Sequence, residues 1–343
     1  MNLNTRANIA PDRRTVIHFQ KKALSRGVVY EVLQKFGMSK TIPKNNGDTT
    51  EFRRAEPYAV NPTPLVEGIT PSGDTIRYTN KRIQILPYGH VVPISDEILD
   101  IDPYGVFVKD DLITLEGEHV VASNEAILWG VLRAGTNVFL ANGSARTDVN
   151  TPISKTKVQA VIRALNAQKA KKITSIQSGS PDFGTRPIEA SFVAVCHTNC
   201  EQDIRALPGF TPVAEYGQRS ALSEYELGCL ESVRFVMSPD LTPFIDAGGA
   251  KSGSGTEMIS SSGTSADVYP VVFFAREAYA YISLKANMGL NNASIEPIII
   301  PVDMMSKSDP LNQRGFVGSK WRFGAGILNE AWMARLEVAA TKQ

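Results

Sequence analysis

The chain reads as an α+β protein with two lobes and long projections. Three features carry that reading: a proline-studded stretch suited only to an extended hairpin, a long acidic helix, and a later half in which short apolar runs alternate with amphipathic helices. The composition agrees with a packed protein. Of 343 residues, 43% are apolar and 21% charged, close to the globular average, which excludes a disordered tail, a collagen-like fibre and a disulfide-dense miniprotein. Apolar runs such as Val271–Ala275 are too short to cross a membrane, and residues 1–30 show no apolar core of a secretory signal. Three cysteines, Cys196, Cys200 and Cys229, suit a reducing compartment better than a disulfide framework.

Residues 1–50 form a basic arm with one helical stretch around Lys21 to Phe36, closed by the turn-rich Pro43-Lys44-Asn45-Asn46-Gly47-Asp48. Residues 51–94 follow, with prolines at 57, 62, 64, 71, 87 and 93. That density excludes a helix and a central strand, because each proline removes a backbone donor. Pro71-Ser72-Gly73-Asp74 is a turn between Leu65–Thr70 and Ile76–Leu86, so the segment is predicted to be a long two-stranded hairpin. An exposed hairpin of that length invites pairing with another chain, which argues that a second subunit covers it.

Asp102 followed by Pro103 marks a helix start. Tyr104, Val108, Leu112, Leu115, His119, Ala122, Ala126 and Trp129 recur at helical spacing up to a stop at Gly135. About 32 residues at ~1.5 Å each predict a strut of roughly 48 Å. Beyond residue 150, Ser154 caps a helix to about Lys171 that buries Val158, Ile162 and Leu165, and a second helix lies near Asn199–Leu207. Ser191–Val195, Val233–Met237, Val271–Ala275 and Ile295–Pro301 read as strands. The Gly/Ser-rich stretch Ala247–Ala266 reads as a mobile loop, and Phe316–Val338 as two strands turning at Gly324-Ala325-Gly326.

The formal charge of +1 hides a separation along the chain. Residues 1–50 carry nine basic side chains against Asp12, Glu31 and Asp48, leaving +6, whereas residues 83–132 carry nine acids against Lys109, leaving −8. Both could be solvated faces. The sharper expectation is that arm and helix dock through complementary fields, with Arg13, Arg14, Lys21 and Lys22 meeting Asp110, Asp111, Glu116 and Glu118 across a subunit contact. Direct nucleic-acid binding by the arm ranks lower, because no aromatic is interleaved at stacking spacing.

Catalytic patterns fail. Cys196-His197 with Cys200 has metal-like spacing, yet no CxxC or HExxH accompanies it. Lys251-Ser252 lacks the glycines of a phosphate loop, and Gly324 with Gly326 lacks the third glycine of a dinucleotide pattern, where Asn329 stands. No GxSxG elbow occurs. The expectation is no enzyme, no cofactor and no metal.

Taken in order, arm, hairpin, long acidic helix and α+β lobe resemble the major capsid proteins of tailed double-stranded-DNA phages, the Hong-Kong-97-type fold. Thr63-Pro64-Leu65-Val66-Glu67-Gly68-Ile69-Thr70-Pro71-Ser72-Gly73 is similar to the hairpin opening of the N-four-like podovirus capsid family. Val92–Asp96 leading into Asp102-Pro103 resembles its hinge and spine helix. Leu227-Gly228 with Val233–Val236, Val268-Tyr269-Pro270 with Ala278-Tyr279, and Lys320–Val338 resemble its later lobe and closing strands. The resemblance implies an N-terminal arm at 1–50, an extended loop at 51–94, a spine helix and peripheral domain at 95–149, an axial domain at 150–300 with its mobile loop at 247–266, and return strands of the peripheral domain at 301–343. It implies self-assembly into hexamers and pentamers of an icosahedral virion shell, put together in the host cytoplasm and enclosing DNA without sequence-specific binding or membrane contact. Separate scaffolding, portal and decoration proteins would be partners. Cross-linking is not implied, since nothing marks a partner for Lys81. The rival readings are a nanocompartment shell of the same fold and a metal enzyme using Cys196, His197 and Cys200.

Overall fold

A computed structural model describes residues 31–43, 45–65, 67–68, 70, 73–95, 113–177, 185–217, 221–253, 256–284, 296–300 and 314–342. In chain order the elements are α1 (Leu33–Phe36), β1 (Met38–Ile42), β2 (Thr49–Ala55), β3 (Tyr78–Gln84), β4 (Leu86–Ser95), α2 (Ile113–Leu132) and β5 (Val138–Leu140). Then come α3 (Lys155–Ala167), β6 (Ile173–Gln177), β7 (Thr185–His197), α4 (Glu201–Arg205), β8 (Phe210–Pro212), β9 (Glu226–Leu230) and β10 (Val233–Ser238). The chain closes with β11 (Ser252–Gly253), β12 (Thr256–Glu257), β13 (Val268–Phe274), β14 (Tyr279–Leu284), β15 (Glu296–Ile300), β16 (Arg314–Ile327) and β17 (Met333–Ala339).

Two sheets organise the molecule. The larger runs β5-β17-β13-β7-β10-β9-β8, with β6 added along β7. Its central strands are the apolar runs expected from the sequence, and they are buried on both faces. Phe192, Ala194, Phe235, Val271, Phe273 and Leu336 join Val158, Val161, Ile162 and Leu165 of α3 in one core. Val193, Val195, Val236, Val272 and Phe274 point the other way, into a second core with Leu128, Trp129 and Leu132 of α2. Strand alternation divides the two sets, since successive side chains leave opposite faces.

The smaller sheet is built on β16. Arg314 to Phe323 pair with Ser95 to Leu86 of β4 along one side. On the other side β15 pairs with Phe316–Lys320 and β14 with Phe323–Ile327. Beyond β14 lies β1 in parallel register, Met38 opposite Ala280. The strand β4 therefore has a ladder partner on one side, which is how it tolerates Pro87 and Pro93: six residues apart, their missing donors fall on the same side of the strand.

Several expectations change. The glycines at 324 and 326 do not make a turn. The strand β16 runs straight through them, and the reversal comes at Leu328–Trp332, where Asn329 Oδ1 accepts the Ala331 N–H. Glycine is needed there for close approach instead, since a Cβ on Gly324 would fall 2.3 Å from the Gln84 carbonyl oxygen. The two return strands also part company, with β16 in the smaller sheet and β17 in the larger. The basic arm does not extend to residue 50 as a separate unit, because residues 38–42 are already a strand of the smaller sheet.

The stretch Ala247–Ala266, read from sequence as a mobile loop, is tied down. Gly248 N–H donates to Ala266 O, Ala266 N–H to Gly249 O, and Ile259 N–H to Ala340 O. The buried Asp267 accepts from the backbone of Asp246 and from both the N–H and the hydroxyl of Ser261. Small residues suit this lacing: a Cβ on Gly248 would meet the Val149 carbonyl oxygen at 2.4 Å.

The helix α2 also departs from its expected stripe. Leu115 is 49% exposed, and His119 and Ala126 are exposed too. Its buried positions form two sets about half a turn apart at 100° per residue. Glu116 and Val120, with the half-buried Ile127, face β16, whereas Leu128, Trp129 and Leu132 face the larger sheet and Glu125 accepts from the backbone of α1. The helix is claimed from two opposite sides, so no single stripe could describe it. The proposed start at Asp102-Pro103 lies outside the described residues.

Candidate subunit-contact surface

The hairpin is real, but its strands are not those expected. They are β2 and β3, paired from Thr49 opposite Gln84 to Ala55 opposite Tyr78, and residues 56–77 form a long connection between them. The predicted turn residues Pro71 and Ser72 lie outside the described residues. Both faces of the ribbon are open. Of its fourteen strand residues only Ile83 is buried, and Thr50 and Phe52 are half-buried. A two-stranded ribbon alone in water is marginal at best. Local contacts do what they can: the Arg53 guanidinium lies 5.2 Å from the Tyr78 ring centre, Lys40 Nζ 5.2 Å from that of Phe52, and Thr79 donates to Glu56.

Apolar exposure concentrates on this projection. Five of the twelve large apolar side chains standing exposed among the described residues fall between Tyr58 and Tyr78, with Val60 at 88% and Leu65 at 77%, and two more, Leu86 and Val91, stand on the adjoining β4. Isolated exposed apolar groups are normal, whereas a cluster on a thin projection marks an interaction surface. Full burial of a Val or Leu side chain contributes about 1.5–3 kcal/mol. The ribbon also carries Arg53, Arg54, Lys81 and Arg82, all exposed, against Glu51. The prolines of residues 51–94 point to the same hairpin as a surface for a second subunit, and its exposed apolar residues add contact side chains that the charge argument on the arm does not include.

At the ribbon's base, three elements meet. His90 of β4 places Nδ1 2.6 Å from Glu116 Oε1 of α2, and Ser319 of β16 donates to Glu116 Oε2 at 2.9 Å. His119 stacks on His90 at 4.2 Å and meets the Trp321 ring edge-on, while Trp321 Nε1 donates to Asn124 Oδ1. Glu116 is thus buried and engaged within its own subunit rather than presented to a neighbour, a correction to its expected place on a solvated docking face. Glu118 is half-exposed. Arg13, Arg14, Lys21, Lys22, Asp110 and Asp111 lie outside the described residues.

The cysteine–histidine cluster is a packed strand end. The buried Cys196 thiol donates to the Val236 carbonyl oxygen, and burial pushes its pKa up to about 12. Burial likewise raises Cys200 and lowers His197, whose Nδ1 accepts the Asn199 N–H. A thiol held protonated by burial is a poor nucleophile at neutral pH. Among the described residues, no group of three or more His, Cys, Asp or Glu could hold a metal ion, and no helix is long and apolar enough to cross a membrane.

No family model matches the chain. It is 19% identical over 209 residues to a major capsid protein of Pseudomonas phage KPP21; the match covers 58% of this chain and 52% of that protein, so the chain spans about half the length of that relative. Solved structures align over nearly the whole chain. The capsid of Ralstonia phage GP4 superposes with a TM-score of 0.62 at 13% identity, covering 96% of this chain and 98% of that one. The head structure of Helicobacter pylori bacteriophage KHP40 gives 0.60 at 11% identity, covering 99% and 98%. The chain has the phage capsid fold. It is the Hong-Kong-97-type arrangement, with the long helix packed against both the smaller sheet and the larger one. Cyanophage P-SCSP1u's capsid structure agrees, at a TM-score of 0.59, 12% identity and coverage of 94% and 92%.

Proposed function

We propose that the chain is the major capsid protein of a tailed double-stranded-DNA phage, a structural protein rather than an enzyme. Copies associate through the larger, axial sheet into hexamers and pentamers that close an icosahedral virion shell around the genome. Scaffolding, portal and decoration proteins are separate chains in this reading, and assembly takes place in the host cytoplasm. The observation that carries it is the hairpin, a ribbon with both faces open and exposed Tyr58, Val60, Leu65, Ile76 and Tyr78, on a chain with the capsid fold from end to end. Laid over a neighbouring subunit, the ribbon gains the cover it lacks.

The charge pairing is a second, weaker part of the same proposal. Arg13, Arg14, Lys21 and Lys22 of one subunit face Asp110, Asp111 and Glu118 of another, with Glu116 already engaged at home. Each exposed pair contributes about 0.2–1 kcal/mol, so wrong contacts come apart while a closed shell adds many right ones.

Expression of the chain, alone and with its neighbouring genes, followed by sizing chromatography and negative-stain microscopy tests the assignment. Shells, capsomers or tubes are expected. A chain that stays monomeric in both conditions overturns it, and shells that enclose an enzyme instead of DNA point to a nanocompartment.

A further inference from the structure

The two faces of the ribbon are chemically unlike. Directly opposed residues of paired strands share a face, and successive residues alternate between faces. The register therefore sets Glu51 and Arg53 with Arg82 and Asn80 on one face, and Phe52 and Arg54 with Lys81 and Thr79 on the other. The first face satisfies itself. Arg82 Nε lies 3.8 Å from Glu51 Oε2, Arg53 Nε donates to Asn80 Oδ1 at 3.3 Å, and the Arg53 guanidinium rests on the Tyr78 ring. The second face holds all three strand residues that are not fully exposed, Thr50, Phe52 and Ile83. Phe52 and Ile83 pack there with Ile42, Ile85 and Ile282. Beyond that apolar root come Arg54 and Lys81, joined by Lys40 of β1 over the Phe52 ring, with no acid among the face's strand residues. Glu56, just past the end of β2, accepts the Thr79 hydroxyl, and its N–H donates to Arg77, whose charge offsets its own.

We propose that this cationic face is the docking face of the ribbon, and that its occupant is the acidic stretch Asp96–Asp102 of a second copy of the chain. The inference rests on the capsid reading and adds to it the face and the partner. Asp96-Glu97-Ile98-Leu99-Asp100-Ile101-Asp102 holds four acids and no base in seven residues, with three apolar side chains between them. That is the composition complementary to Arg54, Lys81 and Lys40 above an apolar root. Asp110, Asp111 and Glu118 remain for the arm, while Glu116 and Glu125 are engaged inside their own subunit. Within one chain the ten residues of β4 stand between the ribbon and Asp96. They make roughly 30 Å of extended strand, so the stretch that meets the ribbon comes from another copy.

Two paired substitutions that remove equal charge read the choice of face. Arg54→Gln with Lys81→Gln should lower shell yield about fivefold or more at low salt, the shift expected when two exposed ion pairs leave each contact. Arg53→Gln with Arg82→Gln should change it less than about twofold. Denaturant unfolding of the unassembled subunit should be unchanged by either pair. The partner is read by charge exchange: Arg54→Glu with Lys81→Glu should stop assembly, and adding Glu97→Lys with Asp100→Lys to the same chain should restore it. Should the exchanged chain fold poorly, Glu97→Gln with Asp100→Gln replaces it, and its loss should not add to that of Arg54→Gln with Lys81→Gln. Equal sensitivity of the two faces, or a larger loss from Arg53→Gln with Arg82→Gln, overturns the docking face. Failed restoration in a folded chain, or additive losses, overturns the occupant. Wild-type chains that form no shells overturn the capsid reading and this inference with it, whereas wild-type shells indifferent to every pair overturn this inference alone.

Discussion

The larger sheet and the hairpin are built by opposite rules from the same backbone pattern. In β13, all seven residues from Val268 to Phe274 are buried, on two faces at once. In β3, six of seven are exposed, again on both faces. One element has more cover than a half-buried strand needs, and the other has almost none. The first is complete within one subunit. The second is an open surface that the proposed assembly covers with a neighbouring subunit, and prolines 57, 62 and 64 and the basic pairs Arg53-Arg54 and Lys81-Arg82 discourage indiscriminate edge pairing.

That contrast can be broken from the sheet side first. Phe273→Ala empties a fully buried ring position packed against Phe235 and should cost about 3–5 kcal/mol. Denaturant unfolding of the unassembled subunit measures it, and a loss under about 1 kcal/mol would mean that the sheet is not the stabilising unit. Gly324→Ala comes next, since the new Cβ meets the Gln84 carbonyl oxygen at 2.3 Å where hairpin and β16 join. A cost of about 1–3 kcal/mol is expected, with exchange protection lost first in β3 and β4.

On the hairpin side the subunit should hardly notice. Val60→Ser with Leu65→Ser should leave unfolding within about 0.5 kcal/mol of wild type while shell yield collapses, because those side chains are open in the subunit. A large drop in subunit stability would show that the ribbon folds back on its own chain. The smallest effect is assigned to Arg13→Glu with Arg14→Glu: unchanged folding, and a modest loss of shell yield that is greatest at low salt, where screening is weakest. Shell yield indifferent to the reversal at every salt concentration removes the arm from the contact.

What could be read from sequence follows the same division. The central strands β7 and β13 were legible because burial on both faces leaves an unbroken apolar run, as in Phe192–Cys196 and Val271–Ala275. The helix α3 was legible because it packs one face on one sheet. The long helix resisted, since its contacts wrap to opposite sides and include two acids, Glu116 and Glu125, that a hydrophobic pattern assigns to solvent. The hairpin's existence was visible in its prolines, yet its strands were misplaced because pairing there obeys the cross-strand register of Thr49–Ala55 with Tyr78–Gln84, not apolar alternation. Glycines at 324 and 326 read as a turn because crowding from another strand, the true reason for them, is invisible in one dimension.

The double claim on the long helix has a mechanical meaning. A rod gripped along one side can roll to relieve a load, whereas one gripped along opposite sides, by Trp321 and Phe323 here and by Val193 and Phe274 there, cannot turn without tearing one grip loose. Force entering at the hairpin's base is therefore passed on to the larger sheet as a push along or across the beam, with no compliant joint between them. In a shell strained from within, each subunit would act as a braced truss, and its give would be found at the ribbon rather than in its middle.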